Sequence, residues 1–236
     1  MLKPLLFSAF LLAAPSCASD KAPAGPQPDA AGKVVIVGDS IALGLGAMGP
    51  DTDCPVTPEY NSVDKSFGVQ VANALGADYE MFAWPGAGLV HNYGSDQTST
   101  VSILMNKPAQ LDRLEATGPV RLVLVNIGTH DFHQYDPTDA FIPAMEDLLT
   151  SLAERYPDAI VYALTGPMLG GKEAAFHDQA VRTAVAKVNK AHGTHIRYLA
   201  LNGGDRTVAH GCAWHPSVPA HTHMAEMILE DLRTHK

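Results

Sequence analysis

The stretch from Lys33 to Gly46, KVVIVGDSIALGLG, constrains the fold more than any other part of the chain. Four β-branched residues follow Lys33 without interruption and end at Gly38-Asp39-Ser40, which is typical of a strand buried on both faces and followed by a sharp turn. The apolar residues after the turn predict the start of a helix. Free backbone N–H groups and the helix dipole stabilise negative charge at such a place, so Ser40 is a candidate nucleophile.

The turn alone leaves other interpretations open, because glycine and serine in the first strand-to-helix turn of a doubly wound protein also bind phosphate or cap the helix. A second motif near the C-terminus favours catalysis. The stretch from Gly211 to Ser217, GCAWHPS, places His215 in a loop before the last predicted helix. Serine is a poor nucleophile without a general base, so Ser40 and His215 are interpreted as a pair.

Together the two stretches resemble the GDSL or SGNH hydrolases. Gly38-Asp39-Ser40-Ile41 matches the first block of that superfamily, and Trp214-His215-Pro216 matches the last. The resemblance implies hydrolysis of a carboxylic ester without a cofactor, with Ser40 as the nucleophile and His215 as the general base.

The glycine turn WPGAGLV, from Trp84 to Val90, resembles the second block of the same superfamily. The resemblance implies that the backbone N–H of Gly86 joins that of Ser40 in the oxyanion hole, whereas an ordinary tight turn is the alternative. The following stretch to Ser102 is similar to the acetyl-xylan esterases of carbohydrate esterase family two, which implies a substrate-cleft loop.

Three side chains are expected to bind substrate: Trp84, Asn92 and Trp214. Trp214 stands beside the candidate base and is interpreted as a platform on which a sugar ring stacks. A tryptophan of the hydrophobic core is the alternative.

The third block departs from the family pattern. The family reads Gly-Thr-Asn-Asp, and this chain has Gly128-Thr129-His130-Asp131. Asparagine donates a side-chain N–H to the oxyanion, and His130 does so only if the ring nitrogen facing the site carries a proton. Loss of one such donor costs on the order of 3 kcal/mol of transition-state stabilisation. His130 is the expected third donor, but the departure also leaves open a lapsed hydrolase that only binds glycan.

The carboxylate of a catalytic triad is missing from its usual place. The family has aspartate three residues before the histidine, or two residues before it in some sugar esterases, and this chain has Cys212 and Ala213 there. We expect a Ser-His dyad in which a backbone carbonyl near Cys212 accepts the N–H of the imidazole. Asp205 or His210 is the alternative partner of His215.

Hydrophobic periodicity predicts alternating strands and helices after the first strand. The strands are predicted at 78–83, 119–128, 159–164 and 196–201, and the helices at 66–75, 138–156, 172–191 and 219–232. Short connections between such elements predict an α/β fold, a three-layer, doubly wound and mostly parallel sheet of the flavodoxin-like kind found in SGNH hydrolases.

The N-terminus has the features of a secretory signal over residues 1–17: a positive charge at Lys3, an apolar run from Leu5 to Ala14, and small residues before Cys17. The small residues resemble a bacterial lipobox and imply lipidation of Cys17, with plain cleavage near Ala18 as the alternative. Residues 18–32 predict a flexible tether, and residues 33–236 the hydrolase domain. The expected location is the bacterial cell envelope or the medium.

Export favours an oxidising compartment, in which Cys54 and Cys212 are expected to form one disulfide. Such a bond would hold the two candidate catalytic loops together. Two free buried thiols are the alternative.

Composition excludes some partners and favours a single domain. The 236 residues are 46% hydrophobic and 17% charged, with a net charge of −9 and no basic run, which argues against nucleic acid. The pairs His130-x-x-His133 and His221-x-His223 lack specific metal-ligand spacings, so no metal is expected.

The sequence therefore predicts an exported, monomeric serine esterase that removes short acyl groups, above all acetyl, from carbohydrate. Membrane contact is expected only through the N-terminal lipid. A lipase, lysophospholipase or thioesterase of the same superfamily, with a preference for longer acyl chains, is the alternative within enzymes.

Overall fold

The fold is a parallel sheet covered by helices. A computed structural model describes residues 32–94, 100–101, 118–133, 136–193, 196–201 and 210–235. Its five strands are hydrogen-bonded in the order β2-β1-β3-β4-β5, and every neighbouring pair is parallel. The strands are β1 (Lys33–Gly38), β2 (Asp78–Ala83), β3 (Val120–Asn126), β4 (Ile160–Thr165) and β5 (Arg197–Ala200).

Five α-helices lie within the described residues. They are α1 (Phe67–Ala74), α2 (Thr129–His133), α3 (Thr138–Arg155), α4 (Gly171–His192) and α5 (Val218–Thr234). The segments Pro58–Tyr60, Val63–Lys65 and Cys212–Trp214 form short 3₁₀-type turns. The predicted doubly wound α/β fold is confirmed.

The sheet is buried on both faces because its strands send alternate side chains to opposite sides. Val35 and Val37 of β1 pack in one core with the apolar faces of α3 and α4. Val34 and Ile36 pack in the other core with α1 and α5. This accounts for the unbroken apolar run in the sequence of β1.

The candidate residues lie beyond the strand ends at the point where the strand order reverses, between β1 and β3. β1 and β3 are neighbours in the sheet, with Gly38 in register with Asn126, although β2 lies between them in the chain. Ligands of open α/β sheets bind beyond the carboxyl ends of the strands at such a switch point. Ser40 follows β1 and His130 follows β3, so the topology brings both to this edge.

The helix expected directly after Ser40 is a wrong prediction. The segment from Ser40 to Met48 is a succession of turns, in which Leu45 N–H donates to Ser40 O while Gly44 N–H donates to Ile41 O. Gly44 and Gly46 have φ of 62° and 64°. These left-handed backbone angles stop an α-helix from forming.

The start of α1 also differs from the expectation. Ser66 occupies the N-cap position, but its side chain makes no capping hydrogen bond. Instead the backbone N–H of Phe67 donates to Nδ1 of the buried His221, at 3.2 Å. Cys17, Asp205 and the predicted signal and tether lie outside the described residues.

Candidate active site

The turn that carries Ser40 is stabilised by the buried carboxyl group of Asp39. Asp39 Oδ1 accepts the N–H of Ile41 at 2.8 Å, which fixes the backbone on both sides of Ser40. Burial raises the pKa of Asp39 to about 7, against the lowering effect of its hydrogen bonds to Ile41 and Thr129. Asp39 therefore orders the turn through its hydrogen bond to Ile41.

His215 lies within hydrogen-bond distance of the candidate nucleophile. Its Nε2 is 2.9 Å from Ser40 Oγ, and its Nδ1 is 3.1 Å from the carbonyl oxygen of Cys212. A carbonyl only accepts, so Nδ1 carries the proton and Nε2 is free to accept the hydroxyl proton of Ser40. Burial lowers the pKa of His215, while its backbone partners raise it, so the neutral form is favoured.

The loop before His215 is folded tightly against the nucleophile turn. Cys212 N–H donates to Gly46 O at 3.0 Å, and Gly211 N–H donates to His215 O at 2.8 Å. A Cβ on Gly211 would lie only 2.0 Å from Gly46 O, so the two backbones approach as closely as glycine permits. Ala213 and Trp214 have φ of 49° and 64°, in the left-handed region. These contacts aim the Cys212 carbonyl at the imidazole.

A disulfide joins the two loops. Cys54 and Cys212 are bonded across 158 residues of sequence, in agreement with the expected pairing. Gly49 packs directly on the bridge, because a Cβ there would lie 2.3 Å from Cys212 Sγ. The residue whose carbonyl holds His215 is thus itself covalently anchored to the loop that follows Ser40.

The glycine turn after β2 is organised by a buried aspartate of α2. Asp131 Oδ2 accepts the N–H of Leu89 at 2.7 Å, and Oδ1 accepts those of Val90 and His91 at 2.7 and 2.9 Å. Burial raises the pKa of Asp131, opposed by these three hydrogen bonds. Gly86 lies at the start of the same turn, with a φ of 75°.

His130 projects from α2 beside the same cleft. Its Nε2 is buried and has no hydrogen-bond partner within the described residues. Burial, together with the nearby His133 and His215, lowers the pKa of His130 to about 4. The ring lies 5.6 Å from that of Tyr93. A neutral imidazole can present one N–H to a developing negative charge.

These groups open on one cleft of about 870 Å³. Its lining includes Ser40, Gly86, His130 and His215, together with the loop after β4 and the start of α4. Two aromatic rings on its rim, Tyr93 and Trp214, are 68% and 61% exposed. Trp214 is therefore not a core residue, and the alternative interpretation of it is wrong.

Two of the expected substrate-binding residues are not among the described residues that line the cleft. Trp84 is half-buried and packs against the core under α3 and α4. Asn92 is buried, and its Oδ1 accepts the N–H of Gly88 at 3.0 Å. Asn92 therefore supports the glycine turn and Trp84 packs on the core, and a role of either side chain in substrate binding stays a prediction.

Of the two alternative partners of His215, Asp205 lies outside the described residues and His210 lies within them. His210 Nδ1 lies 3.1 Å from the carbonyl oxygen of Trp214, and its ring packs against the indole.

Among the described residues, no group of three histidine, cysteine, aspartate or glutamate side chains is placed to hold a metal ion.

Sequence reasoning assigned no role to Tyr93, Asp131 or the buried His177. A signal for His177 was present, since it falls three residues after Ala174 and four before Val181, on the apolar stripe of α4. Asp131 matches the last residue of the family's third block, but its role could not be read from that match, because its three partners come from a distant turn.

The fold, the serine at the end of β1 and the histidine before the last helix define an SGNH-type hydrolase. The sequence profile of the GDSL-like lipase/acylhydrolase family matches residues 36–223, and the chain belongs to this family. The resemblance found in the first and last blocks is thereby confirmed.

Individual relatives are carbohydrate esterases. The chain is 28% identical over 228 residues to the cellulase/esterase CelE of Acetivibrio thermocellus, covering 91% of this chain and 27% of that protein. It is 24% identical to an acetylxylan esterase/glucomannan deacetylase of Cellvibrio japonicus, covering 86% of this chain and 59% of the relative. The chain therefore spans less than two thirds of the length of either protein.

Solved structures agree with these relatives. A family two carbohydrate esterase from Clostridium thermocellum in complex with cellohexaose superposes with a TM-score of 0.78 at 26% identity, over 86% of this chain and 64% of that one. A carbohydrate esterase family 2 enzyme from Corynascus thermopiles, which carries a carbohydrate binding domain, superposes with a TM-score of 0.75 at 26% identity, over 90% and 68% of the two chains.

Proposed function

We propose that this protein is a serine esterase that removes acetyl groups from carbohydrate. The observation that carries the proposal is the dyad, in which His215 Nε2 lies 2.9 Å from Ser40 Oγ while Nδ1 is held by a carbonyl at 3.1 Å. The named relatives act on or bind carbohydrate, and the exposed rings of Tyr93 and Trp214 offer apolar faces on which sugar rings stack.

The reaction begins at the serine. Ser40 Oγ attacks the carbonyl carbon of the ester as its proton passes to His215 Nε2. The oxyanion of the tetrahedral intermediate is held by the backbone N–H groups of Ser40 and Gly86 and by the imidazole N–H of His130. The intermediate collapses, the bond to the sugar oxygen breaks, and His215 Nε2–H protonates that oxygen.

Hydrolysis of the acyl-enzyme repeats the cycle with water as the nucleophile. His215 takes a proton from the water, the second oxyanion occupies the same hole, and Ser40 leaves with the proton from His215 to release acetate. Throughout, the Cys212 carbonyl stabilises the imidazolium in place of a carboxylate. A carbonyl carries only a partial charge, so this stabilisation is weaker than that of an ionised aspartate.

The test is hydrolysis of nitrophenyl esters from acetyl to octanoyl by the protein and its Ser40→Ala variant. We expect activity that depends on Ser40 and is fastest on acetate, followed by acetate release from acetylated xylan or glucomannan. A longer-chain optimum would favour the lipase or thioesterase alternative. Binding of acetylated glycan with no activity dependent on Ser40 would identify a lapsed hydrolase.

The chain is further proposed to be exported, with residues 1–17 as the signal, 18–32 as the tether and 33–236 as a monomeric catalytic domain. Support comes from the charge and apolar pattern of the first residues and from the disulfide. No helix in the described part of the chain is long and apolar enough to cross a membrane. Mass spectrometry of the mature N-terminus would distinguish a lipidated Cys17 from plain cleavage near Ala18.

A further inference from the structure

We propose that His177, a residue of α4, is a positioning residue that holds the oxyanion donor His130 in place. It acts through the backbone that flanks His130 and does not itself touch the substrate. The inference rests on the proposed esterase function.

The first contact is a hydrogen bond to the end of the β3 segment. His177 is only 2% exposed, and its Nε2 lies 3.1 Å from the carbonyl oxygen of Ile127. Since a carbonyl only accepts, Nε2 carries the proton and donates it. Ile127 stands three residues before His130, so this bond fixes the chain where it leaves the sheet and turns into α2.

The second contact is with Gly128, the next residue along. Gly128 has a φ of 128°, and a Cβ built on it would lie 2.2 Å from His177 Nε2. The imidazole is therefore seated directly against the backbone, with no room for a side chain between them. A donor on α4 and a glycine after β3 together define the path of this turn.

The third contact lies beyond His130. The ring of Phe132 stacks on that of His177, with centroids 5.1 Å apart and planes inclined by 28°, and Phe141 packs edge-on against the same imidazole. Phe132 N–H also donates to Gly128 O at 3.1 Å. His177 thus touches the segment before His130 and the segment after it.

A residue that only fills the core would account for the packing of His177 but not for its hydrogen bond to the carbonyl of Ile127. The buried neighbours of His177 on α4 are apolar: Ala180, Val181, Ala184, Val185 and Val188. A buried carbonyl without a partner is unfavourable, and His177 supplies that partner to a strand end that carries an active-site residue. His130 itself gains no internal partner for its Nε2 among the described residues. No hydrogen bond to Nε2 therefore orients the ring, and the backbone that His177 contacts helps to set its position.

The experiment compares two substitutions at the same buried position. His177→Gln keeps an N–H at about the reach of Nε2, whereas His177→Met fills the volume and leaves Ile127 O unpaired. With nitrophenyl acetate, we expect His177→Met to lower kcat between about 10- and 100-fold with KM little changed, since a misplaced donor acts on the transition state. His177→Gln should recover most of that loss.

Val185→Ala is the matched control, because it destabilises the same helix without touching the turn after β3. Each variant is assayed well below its own melting temperature. If His177→Met fails to fold, His177→Asn replaces it, since its amide is too short to reach Ile127 O. A kcat equal to that of Val185→Ala would overturn the proposal and leave His177 a purely structural residue.

A double substitution separates positioning of His130 from any other effect. In a His130→Ala background, His177→Met should lower kcat no further, because the donor that it positions is already absent. Losses that multiply would contradict the proposal. The proposed function is tested independently by Ser40→Ala, which must lose activity if the esterase assignment is right.

Discussion

The carbonyl oxygen of Cys212 lies 3.1 Å from Nδ1 of His215, and Cys212 is bonded through its side chain to Cys54. The same residue therefore supplies the partner of the general base and the covalent link to the nucleophile loop. The family's aspartate orients its histidine through a side chain, whereas here the orientation depends on the backbone of a cross-linked loop.

Removing the disulfide should affect stability and catalysis together. Cys54→Ser is expected to lower the free energy of unfolding by about 2 to 5 kcal/mol, because the bridge closes a loop of 158 residues. It should also lower kcat, since the Cys212 carbonyl is held less firmly. Urea unfolding and ester hydrolysis measure the two effects. Reductant should reproduce both in the unmodified protein and change nothing in the variant.

The donor role of His130 predicts a difference between two substitutions. His130→Ala should lower kcat/KM by about 10²- to 10³-fold, whereas His130→Asn, which places the family's own amide there, should retain activity. Nitrophenyl acetate hydrolysis and melting temperature are measured for both variants. Equal activity of the alanine variant and the unmodified protein would contradict the assignment of His130 to the oxyanion hole.

Asp131 is expected to hold the glycine turn in its active shape. In Asp131→Asn the amide NH₂ would face at least one backbone N–H among those of Leu89, Val90 and His91. One unpaired buried donor costs about 1 to 3 kcal/mol, and kcat should fall because Gly86 belongs to the same turn. Chemical unfolding and kinetics are compared with Asp158→Asn, an exposed control. Unchanged kcat in a destabilised variant would contradict the link to Gly86.

The general base should titrate below the ordinary histidine pKa of 6.5, because burial lowers the pKa of His215. Only the neutral imidazole accepts the serine proton, so kcat/KM should fall on the acid side with an apparent pKa under 6.5. A pH profile of kcat/KM with nitrophenyl acetate measures it. An acid limb at or above 6.5 would indicate a carboxylate partner, for which Asp205 is the candidate.

Asp39 should make the protein less stable as the pH rises. Its folded pKa of about 7 exceeds the ordinary 3.8, so its stabilising contribution is complete below about pH 4 and is lost as the pH rises through 7. The full loss is roughly 4 kcal/mol by linkage. Asp39→Asn keeps the acceptor for Ile41 and should flatten this dependence, with a higher free energy of unfolding at pH 8.

The measurement is urea unfolding of both proteins between about pH 4 and 8. The buried His177 and His221, whose pKa values fall to about 4, act in the opposite direction over part of this range. Both histidines are present in the two proteins, so their effect cancels in the difference. A difference that does not change with pH would show that Asp39 is not the group responsible.

Local pattern was enough to predict the order of elements, because the unbroken run of β1 and the period of α3 report burial directly. The pairing of Ser40 with His215 was likewise available from two short motifs, because they resemble the first and last blocks of the SGNH hydrolases. The turns after Ser40 were missed, since the apolar run Ile41-Ala42-Leu43 favours a helix and the close approach of Gly46 to Cys212 is not visible in either segment alone.

Tertiary contacts account for the other differences. Asn92 was expected in the cleft, but its amide serves Gly88, and whether a loop side chain points in or out depends on contacts beyond its neighbours. The serine that precedes α1 has the usual composition of a cap, yet His221 from the last helix performs that role. A hydrogen bond to a partner distant in sequence produces no periodic pattern, so it cannot be predicted from the local sequence.

Two parts of the cleft lining differ in how much room they leave for an added side chain. On the nucleophile side, Gly46 and Gly211 meet backbone to backbone, so any added side chain would disrupt the dyad itself. In the loop after β4, which also lines the cleft, a Cβ on Gly170 would meet nothing within 4 Å. If the proposed function holds, the loop between β4 and α4 is a place where variation or engineering can adapt the cleft to a bulkier or smaller sugar, because a new side chain at Gly170 leaves the Ser40–His215 pair undisturbed.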